Sequence, residues 1–538
     1  MTGAFFGTSI SFDSITLTNV NTSGADLFFA KLDITSFTHG QIFVKQNATG
    51  NNDGTSWKNA FTKFQDALDY ADNGDQIWIA EGNYTPEGPS PDSSHFLSKK
   101  AVSIYGGFEG TESDLSQRNW QTFRTIINGD ILGDDQDSTN RLDNAHHVLI
   151  INNGDGETTL DGLIFSGGRG ALYILNTDVK IRNCTFWDND GEYGSGLFAR
   201  NSDSISNTLV IKNSTFEQNR GIGGAAIFLG VFNNARRLHY EIDSCTFKNN
   251  ISYSAGTIYS TSDSISQHTS IIKNSEFLNN IGNYGGGAIF SVSENLIIEN
   301  CNFEENYARL YPGCICPSGG IITFINPSSA HIAIRKTIFN NNDVYEFEDG
   351  VVNIFGGYAE LDNVLFHDNY GYSSILSYGN TRLSNITMVD NQGGLIGYGN
   401  STEIQNSIFD NEEVNLRYWE GADIISKGGN ISSDSSMAPV LLGYNGYADL
   451  HQTDPLLDAD FIPLSNSPCI DAGNSEGVVS LYDLAGNPRI QGHGIDAGAY
   501  ESPFMVAVKD AVWDSQVLSV YPNPVLDVLN FELESDWI

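Results

Sequence analysis

One nine-residue pattern recurs along the chain, and it constrains the fold more than any other feature. It reads IRNCTFWDN from Ile181, IKNSTFEQN from Ile211, IDSCTFKNN from Ile242, IKNSEFLNN from Ile272 and IENCNFEEN from Ile298. Looser copies follow as IRKTIFNNN from Ile334, LDNVLFHDN from Leu361, LSNITMVDN from Leu383 and IQNSIFDNE from Ile404. The interval between starts runs from 21 residues (Leu383 to Ile404) to 36 (Ile298 to Ile334), so fixed strands are joined by loops of variable length. Such repetition marks a solenoid, in which each unit buries its apolar face against the next.

Within the pattern, the first apolar residue, the Cys or Ser three later and the Phe two beyond that cannot share one face of a single strand, because strand side chains alternate with period two. A bend must intervene. Asn at the third position (Asn183, Asn213, Asn274, Asn300, Asn363, Asn385 and Asn406) suits it, since Asn tolerates the left-handed conformation. The glycine-led bursts Gly196 to Phe198, Gly224 to Phe228, Gly286 to Phe290 and Gly320 to Phe324 read as a third strand. The expectation is an all-β fold, a right-handed parallel β-helix with three short strands per coil and coils about 4.8 Å apart. Ile181, Ile211, Ile242, Ile272 and Ile298 should form one inward column, and Phe186, Phe216, Phe247, Phe277 and Phe303 another. Upstream, Trp57, Phe61, Phe64, Leu68 and Ala71 recur at helical spacing behind a candidate N-cap at Ser56, and Gly74 precedes a strand at Gln76 to Ala80. These residues predict a capping helix near 57–72.

The paired signatures G-G-A-I and F-x-x-N resemble the repeats of chlamydial polymorphic outer-membrane proteins and related bacterial β-helix surface proteins. Gly286-Gly287-Ala288-Ile289 matches in full, Gly223-Gly224-Ala225-Ala226 nearly so, and F-x-x-N runs from Phe186 with Asn189 to Phe366 with Asn369. The resemblance implies that these residues build the coil. Thr2 to Asp33 looks like one closing unit of a β-propeller-like repeat. SPCIDAGN, YDLAGNPRI and GIDAGAYE (Ser467 to Glu501) resemble the C-terminal part of bacterial proteins described as choice-of-anchor Q, with Asp471, Asp483, Arg489, Asp496 and Glu501 carrying the match. One Arg among four carboxylates reads as an ion-paired network closing the far end of the solenoid. Tyr521-Pro522-Asn523-Pro524, within Val517 to Ser535, resembles the opening of a type A sorting domain of the type IX secretion system. It implies contact with that machinery through the C-terminus, and a secreted or outer-membrane surface address in a bacterium. Three Asp-Ser-Ile triplets, from Asp13, Asp203 and Asp263, resemble the O-glycosylation signal of the same bacteria. The expected organisation is a repeat fragment at 1–40, the β-helix with its helical cap at 41–430, a capping and anchor-like region at 431–503, and a linker with the start of the sorting domain at 504–538. Both ends read as incomplete units.

Composition then excludes classes of partner. With 27 basic against 66 acidic residues, the net charge of −39 repels nucleic acid, so no nucleic-acid partner is expected. No run of about 18 apolar residues exists, so no transmembrane helix is expected. Cys184, Cys245 and Cys301 take one inward motif position with a Ser coil between each pair, roughly 10 Å from one to the next, beyond the reach of a disulfide. They read as small core residues. Cys314 and Cys316 have no second pair at zinc-site spacing.

Two features could carry function. Asp130, Asp134, Asp135 and Asp137 share one loop, and Asp135-x-Asp137-x-Thr139 alternates oxygen ligands as hard-cation loops do, which makes Ca²⁺ a candidate cofactor against the alternative of a solvated acidic loop. Just beyond the motif's last Asn, most coils carry a tyrosine: Tyr193, Tyr253, Tyr284, Tyr307 or Tyr311, Tyr345, and Tyr370 or Tyr372. Tyr193, Tyr253, Tyr284, Tyr311, Tyr345 and Tyr370 form the expected set. Such rings could stack a polysaccharide or cell-surface glycan, or could stack on one another as cladding. No catalytic motif is recognisable, because carboxylate pairs suited to a hydrolase arise by chance among so many acids and the basic residues follow no lyase pattern. The leading expectation is adhesion or glycan binding. A polysaccharide lyase or glycoside hydrolase on the same scaffold, and a passive stalk, are the alternatives.

Overall fold

The bend expected at the third motif position is present in all nine copies in the computed structural model of the chain. The φ angle there lies between 47° and 57° at Asn183, Asn213, Ser244, Asn274, Asn300, Lys336, Asn363, Asn385 and Asn406. Ser and Lys adopt it too, so the position imposes the turn and Asn is the residue that adopts it at least cost. A second left-handed residue, which the sequence reading lacks, stands immediately before the motif's last Asn. It is Asp188, Gln218, Asn249, Asn279, Glu305, Asn341, Asp368 or Asp390, with φ between 50° and 58°. The two bends bracket strands such as Thr185–Trp187 and Thr246–Lys248.

The structure describes residues 39–135, 140–154, 156–202, 206–231, 238–262, 269–283, 285–293, 295–309, 319–326, 329–345, 349–419, 421–444, 446–478 and 480–504. It also gives the backbone of Thr2–Phe5, Ser9–Phe12, Ile15–Thr18 and Asp26–Phe29, which form two antiparallel pairs. Asp137, Tyr284, Tyr311, Cys314, Cys316, the Asp-Ser steps of the three Asp-Ser-Ile triplets and the Tyr521-Pro522-Asn523-Pro524 motif lie outside the described residues.

The coils stack as a right-handed parallel β-helix with three long faces. A 24-stranded sheet runs through both strands that flank the first bend, and a 12-stranded sheet holds the glycine-led strands. The stretch after the motif's last Asn adds a fourth short strand in five coils, at Arg220–Gly223, Ile251–Ala255, Ile281–Gly282, Tyr307–Ala308 and Asp343–Val344. These five form a parallel sheet of their own.

Inside, the two expected columns are fully buried. Phe165, Phe186, Phe216, Phe247, Phe277, Phe303, Phe339 and Phe366 stack at 4.5–5.1 Å with planes within 11° of parallel. Beside them runs an amide ladder that explains the last letter of F-x-x-N. Asn189, Asn219, Asn250, Asn280, Asn306, Asn342, Asn369 and Asn391 each donate from Nδ2 to Oδ1 of the next Asn at 2.8–3.0 Å, the run ending on Asn411 and Asn415. Each Oδ1 also accepts a backbone N–H, as Asn280 does from Asn250, so the polar groups at this turn are satisfied without water. Cys184, Cys245 and Cys301 are buried free thiols, and burial pushes each up to about 12.

Two expectations are corrected here. The helix spans only Phe64–Tyr70, starting from Lys63 rather than Ser56. Ser56 instead accepts the N–H of Asn59 in a turn, and Trp57 packs against Phe43 and Phe108, so its aromatic contacts override the helical spacing. The Asp and Arg network does not close the far end. Met437 and Leu441 join the main core there, while the returning chain folds back along the flank: Asn363 donates to the carbonyl of Tyr482, Ala499 N–H donates to Thr387, and Arg489 bonds the Asn363 amide oxygen. Side chains of the bend row and of the neighbouring strand give it polar partners along that flank.

Candidate functional site

The five-stranded sheet positions the tyrosines. Its register runs Ser252, Gly282, Ala308, Val344 on the inner side, so the residues on either side of each point outward. One outward column is Ile251, Ile281, Tyr307, Asp343 and Tyr370. The adjacent one contains Tyr253, Asn283, Arg309 and Tyr345, held in step by Asn283 N–H to Ser252, Arg309 N–H to Gly282 and Tyr345 N–H to Ala308. Tyr253 and Tyr345 are therefore three rungs apart, about 14 Å, and Tyr307 and Tyr370 two rungs apart, about 10 Å. The expected single ladder is two columns, because the tyrosine is the first residue after the motif's last Asn in some coils (Tyr307, Tyr370) and the third in others (Tyr253, Tyr345).

Tyr253, Tyr345 and Tyr370 are 50%, 70% and 56% exposed, and among the described residues none of the three contacts another ring. Tyr307 lies under the guanidinium of Arg309 at 5.7 Å and Tyr372 under that of Arg417 at 4.4 Å. Beside them burial pushes the Asp343 carboxyl up, with Arg309 opposing. Tyr193 stands apart, bridged to Gly223 and packed edge-on against Phe228.

Two further aromatic rows run along the outer face of the 12-stranded sheet. Tyr173, Phe198, Phe228, Tyr259 and Phe290 follow one another at 4.7–5.5 Å. Phe355, Tyr378, Tyr398 and Trp419 stack at 4.3–5.6 Å with planes within 23° of parallel. Neither row is among the residues expected from the sequence. The signal was present, since the residue after each inward Ile of the glycine-led strand must point outward and is often aromatic. In the second row the ring faces are occupied by neighbouring rings, which leaves mainly edges to solvent.

The carboxylates of Asp130, Asp134 and Asp135 each place an oxygen within 4.8 Å of the others. Asp130 accepts the N–H groups of Gly133, Asp134 and Asp135 at 2.7, 3.3 and 3.4 Å, so it holds the loop by itself. Asp135 accepts the Asn144 amide at 2.8 Å and lies 3.9 Å from Arg141; burial pushes its carboxyl up. These oxygens are the residues that could ligate a hard cation, and Arg141 already supplies a positive charge beside them.

The C-terminal network is buried at Asp483, Arg489, Asp496 and Glu501 and half-buried at Asp471. Arg489 meets Glu501 at 2.8 Å, Asp483 accepts Glu501 N–H at 2.9 Å, Asp496 accepts Asp471 N–H at 2.7 Å, and Asp471 accepts His493 and Gly494 N–H at 2.8 and 2.7 Å. Burial raises Asp496 to about 6 and Glu501 to about 8, against the opposing pull of Arg489. One guanidinium cannot neutralise three buried carboxylates, so a proton is retained there.

No family model matches the chain. In sequence it is 29% identical over 189 residues to metabotropic glutamate receptor-like protein R of Dictyostelium discoideum, a match that takes 34% of this chain and spans 10% of that protein. Among solved structures it is similar to pectate lyase Pel9A, with a TM-score of 0.36 and 14% identity over 86% of this chain and 97% of that one. A rhamnogalacturonan lyase gives a TM-score of 0.29 and 14% identity over 73% and 87%. Neither likeness bears on chemistry. Among the described residues, no helix is long and apolar enough to cross a membrane.

Proposed function

We propose that this protein is an exported, surface-directed β-helix that binds glycans, in adhesion, through the outer face of its five-stranded sheet. The observation that supports this reading is the state of Tyr253, Tyr345 and Tyr370: exposed, at fixed rung spacing, and with ring faces free of other rings. A cladding role would have paired them face to face, as it does Tyr378 with Tyr398 at 4.3 Å. Sugar rings stack on free aromatic faces by their C–H surfaces, and the flanking Arg309 and Asp343 offer a donor and an acceptor for hydroxyls. Export rests on the sorting-domain resemblance of the C-terminal segment. A glycan array and a polysaccharide-degradation screen on one purified sample test the proposal. Binding without cleavage is expected. New reducing or unsaturated ends would replace it with an enzyme, and silence on both would favour a stalk.

A further inference from the structure

Seven of the nine first bends use Asn, and one uses Ser. Lys336 is the exception, held at φ 47°, where a long side chain gains nothing from the backbone. It stands where the returning chain crosses the flank of the long sheet, and it lines two adjoining cavities of about 340 and 520 Å³ beside Gly477 and residues 480–486. That size suits a small ligand.

The other cations lining the cleft are engaged. Arg335 lies 3.6 Å from Glu360, Lys273 lies 2.9 Å from Glu241, and Arg382 donates to the Gly477 carbonyl at 2.6 Å. Among the described residues, the Lys336 ammonium has no carboxylate within 4 Å and no hydrogen bond; its neighbour is the half-exposed ring of Tyr482, 5.6 Å away. Glu299 lines both cavities and likewise has no ion pair among the described residues.

We propose that this cleft binds an acidic sugar unit, with its carboxylate paired to Lys336, its apolar face against Tyr482 and its hydroxyls donating to Glu299. The net charge of −39 works against a densely charged polyanion, so the fitting ligand is a glycan carrying isolated carboxylates on a mainly neutral chain. The inference rests on the reading that the protein binds glycans, but shares no residue with the tyrosine face.

The test uses the whole chain with three probes: a neutral oligosaccharide capped by one glucuronic acid, its methyl ester, and the same chain capped by a sulfate ester. The acid should bind at least roughly tenfold more tightly than the ester, the scale of one charge-assisted contact. Lys336→Asn, which restores the residue the other bends favour, should abolish that preference with an unchanged or higher melting temperature, while Lys336→Arg should keep it. A preference that survives Lys336→Asn, or equal binding of acid and ester by the parent, overturns the proposal. Tighter binding of the sulfate than of the acid overturns the carboxylate assignment. If Lys336-dependent acid binding persists while neutral glycans ignore the tyrosine face, the proposed function fails there and the cleft stands.

Discussion

The inner phenylalanine column and the outer tyrosine face use the same device, one aromatic ring at a fixed place in successive coils, to opposite ends. Phe247, Phe277 and Phe303 are fully buried and nearly parallel at 4.7 and 4.5 Å, so each ring spends both faces on its neighbours. Tyr253 and Tyr345 sit three rungs apart with other residue types between them, and their faces stay free. Periodicity alone therefore does not separate a stabilising ring from a binding one. The occupant of the next rung does.

The largest effect belongs to the column. Phe277→Ala removes a ring stacked on both sides and leaves a cavity, and should cost about 3–5 kcal/mol in urea unfolding with glycan binding per folded molecule unchanged. Binding that falls in step with stability would break the separation between inside and outside. Asn280→Ala should be comparably damaging. It removes the acceptor of the Asn250 N–H and of one Asn250 amide proton, and the donor to the Phe247 carbonyl and to Asn306 Oδ1, which keeps only the N–H of residue 280; each buried group left unpaired costs about 1–3 kcal/mol.

The tail offers a contrast by pH. Glu501 and Asp496 hold their protons more tightly folded than unfolded, with folded values of about 8 and about 6. Between the ordinary carboxyl range near 4 and about 8 the folded state carries more protons, so stability is greatest at the acid side of that window and declines as pH rises through it. Melting temperature should drop from pH 5 to pH 8, and Glu501→Gln should flatten the slope. A slope that rises with pH would sink the retained proton.

Much of this architecture was legible in the sequence, because the coil depends on local rules. The Asn bends, the Ile and Phe columns and the strand at Gln76–Ala80 all follow from strand alternation and left-handed tolerance. The second bend was not legible, since Asp, Gln, Glu and Asn all occupy it and none dominates. Nor was the fold-back of the tail, which depends on contacts such as Arg489 to Asn363 across 126 residues. The tyrosines were found, but their two-column register was not. It follows from whether the tyrosine is the first residue after the motif's last Asn (Tyr307, Tyr370) or the third (Tyr253, Tyr345), and two-residue strands are too short for alternation to show that both positions face outward.

A smaller effect tests the stacked outer row. Tyr378 lies between Phe355 and Tyr398 at 5.3 and 4.3 Å, so Tyr378→Ala should cost about 0.5–1.5 kcal/mol and leave glycan affinity intact. Lost affinity at normal stability would move the binding face onto the 12-stranded sheet.

The smallest effect on stability should come from the tyrosine face, and there the comparison is sharpest. Tyr253 and Tyr345 contribute little to packing, so Tyr253→Ala with Tyr345→Ala should change unfolding free energy by no more than about 0.5 kcal/mol. Binding should respond differently. A glycan long enough to span three rungs meets both rings at once, and each stacking contact contributes on the order of 1 kcal/mol, so the double variant should weaken a long chain by roughly tenfold or more. A disaccharide cannot bridge about 14 Å and engages one ring at a time, so it should lose less, with Tyr370 still in place. Isothermal titration with a chain-length series reads both arms. If the long chain and the disaccharide weaken equally, the two tyrosines do not act along one ligand. If neither weakens while the protein melts at a much lower temperature, the rings are cladding after all, and the outer face resembles the inner column more than its exposure suggests.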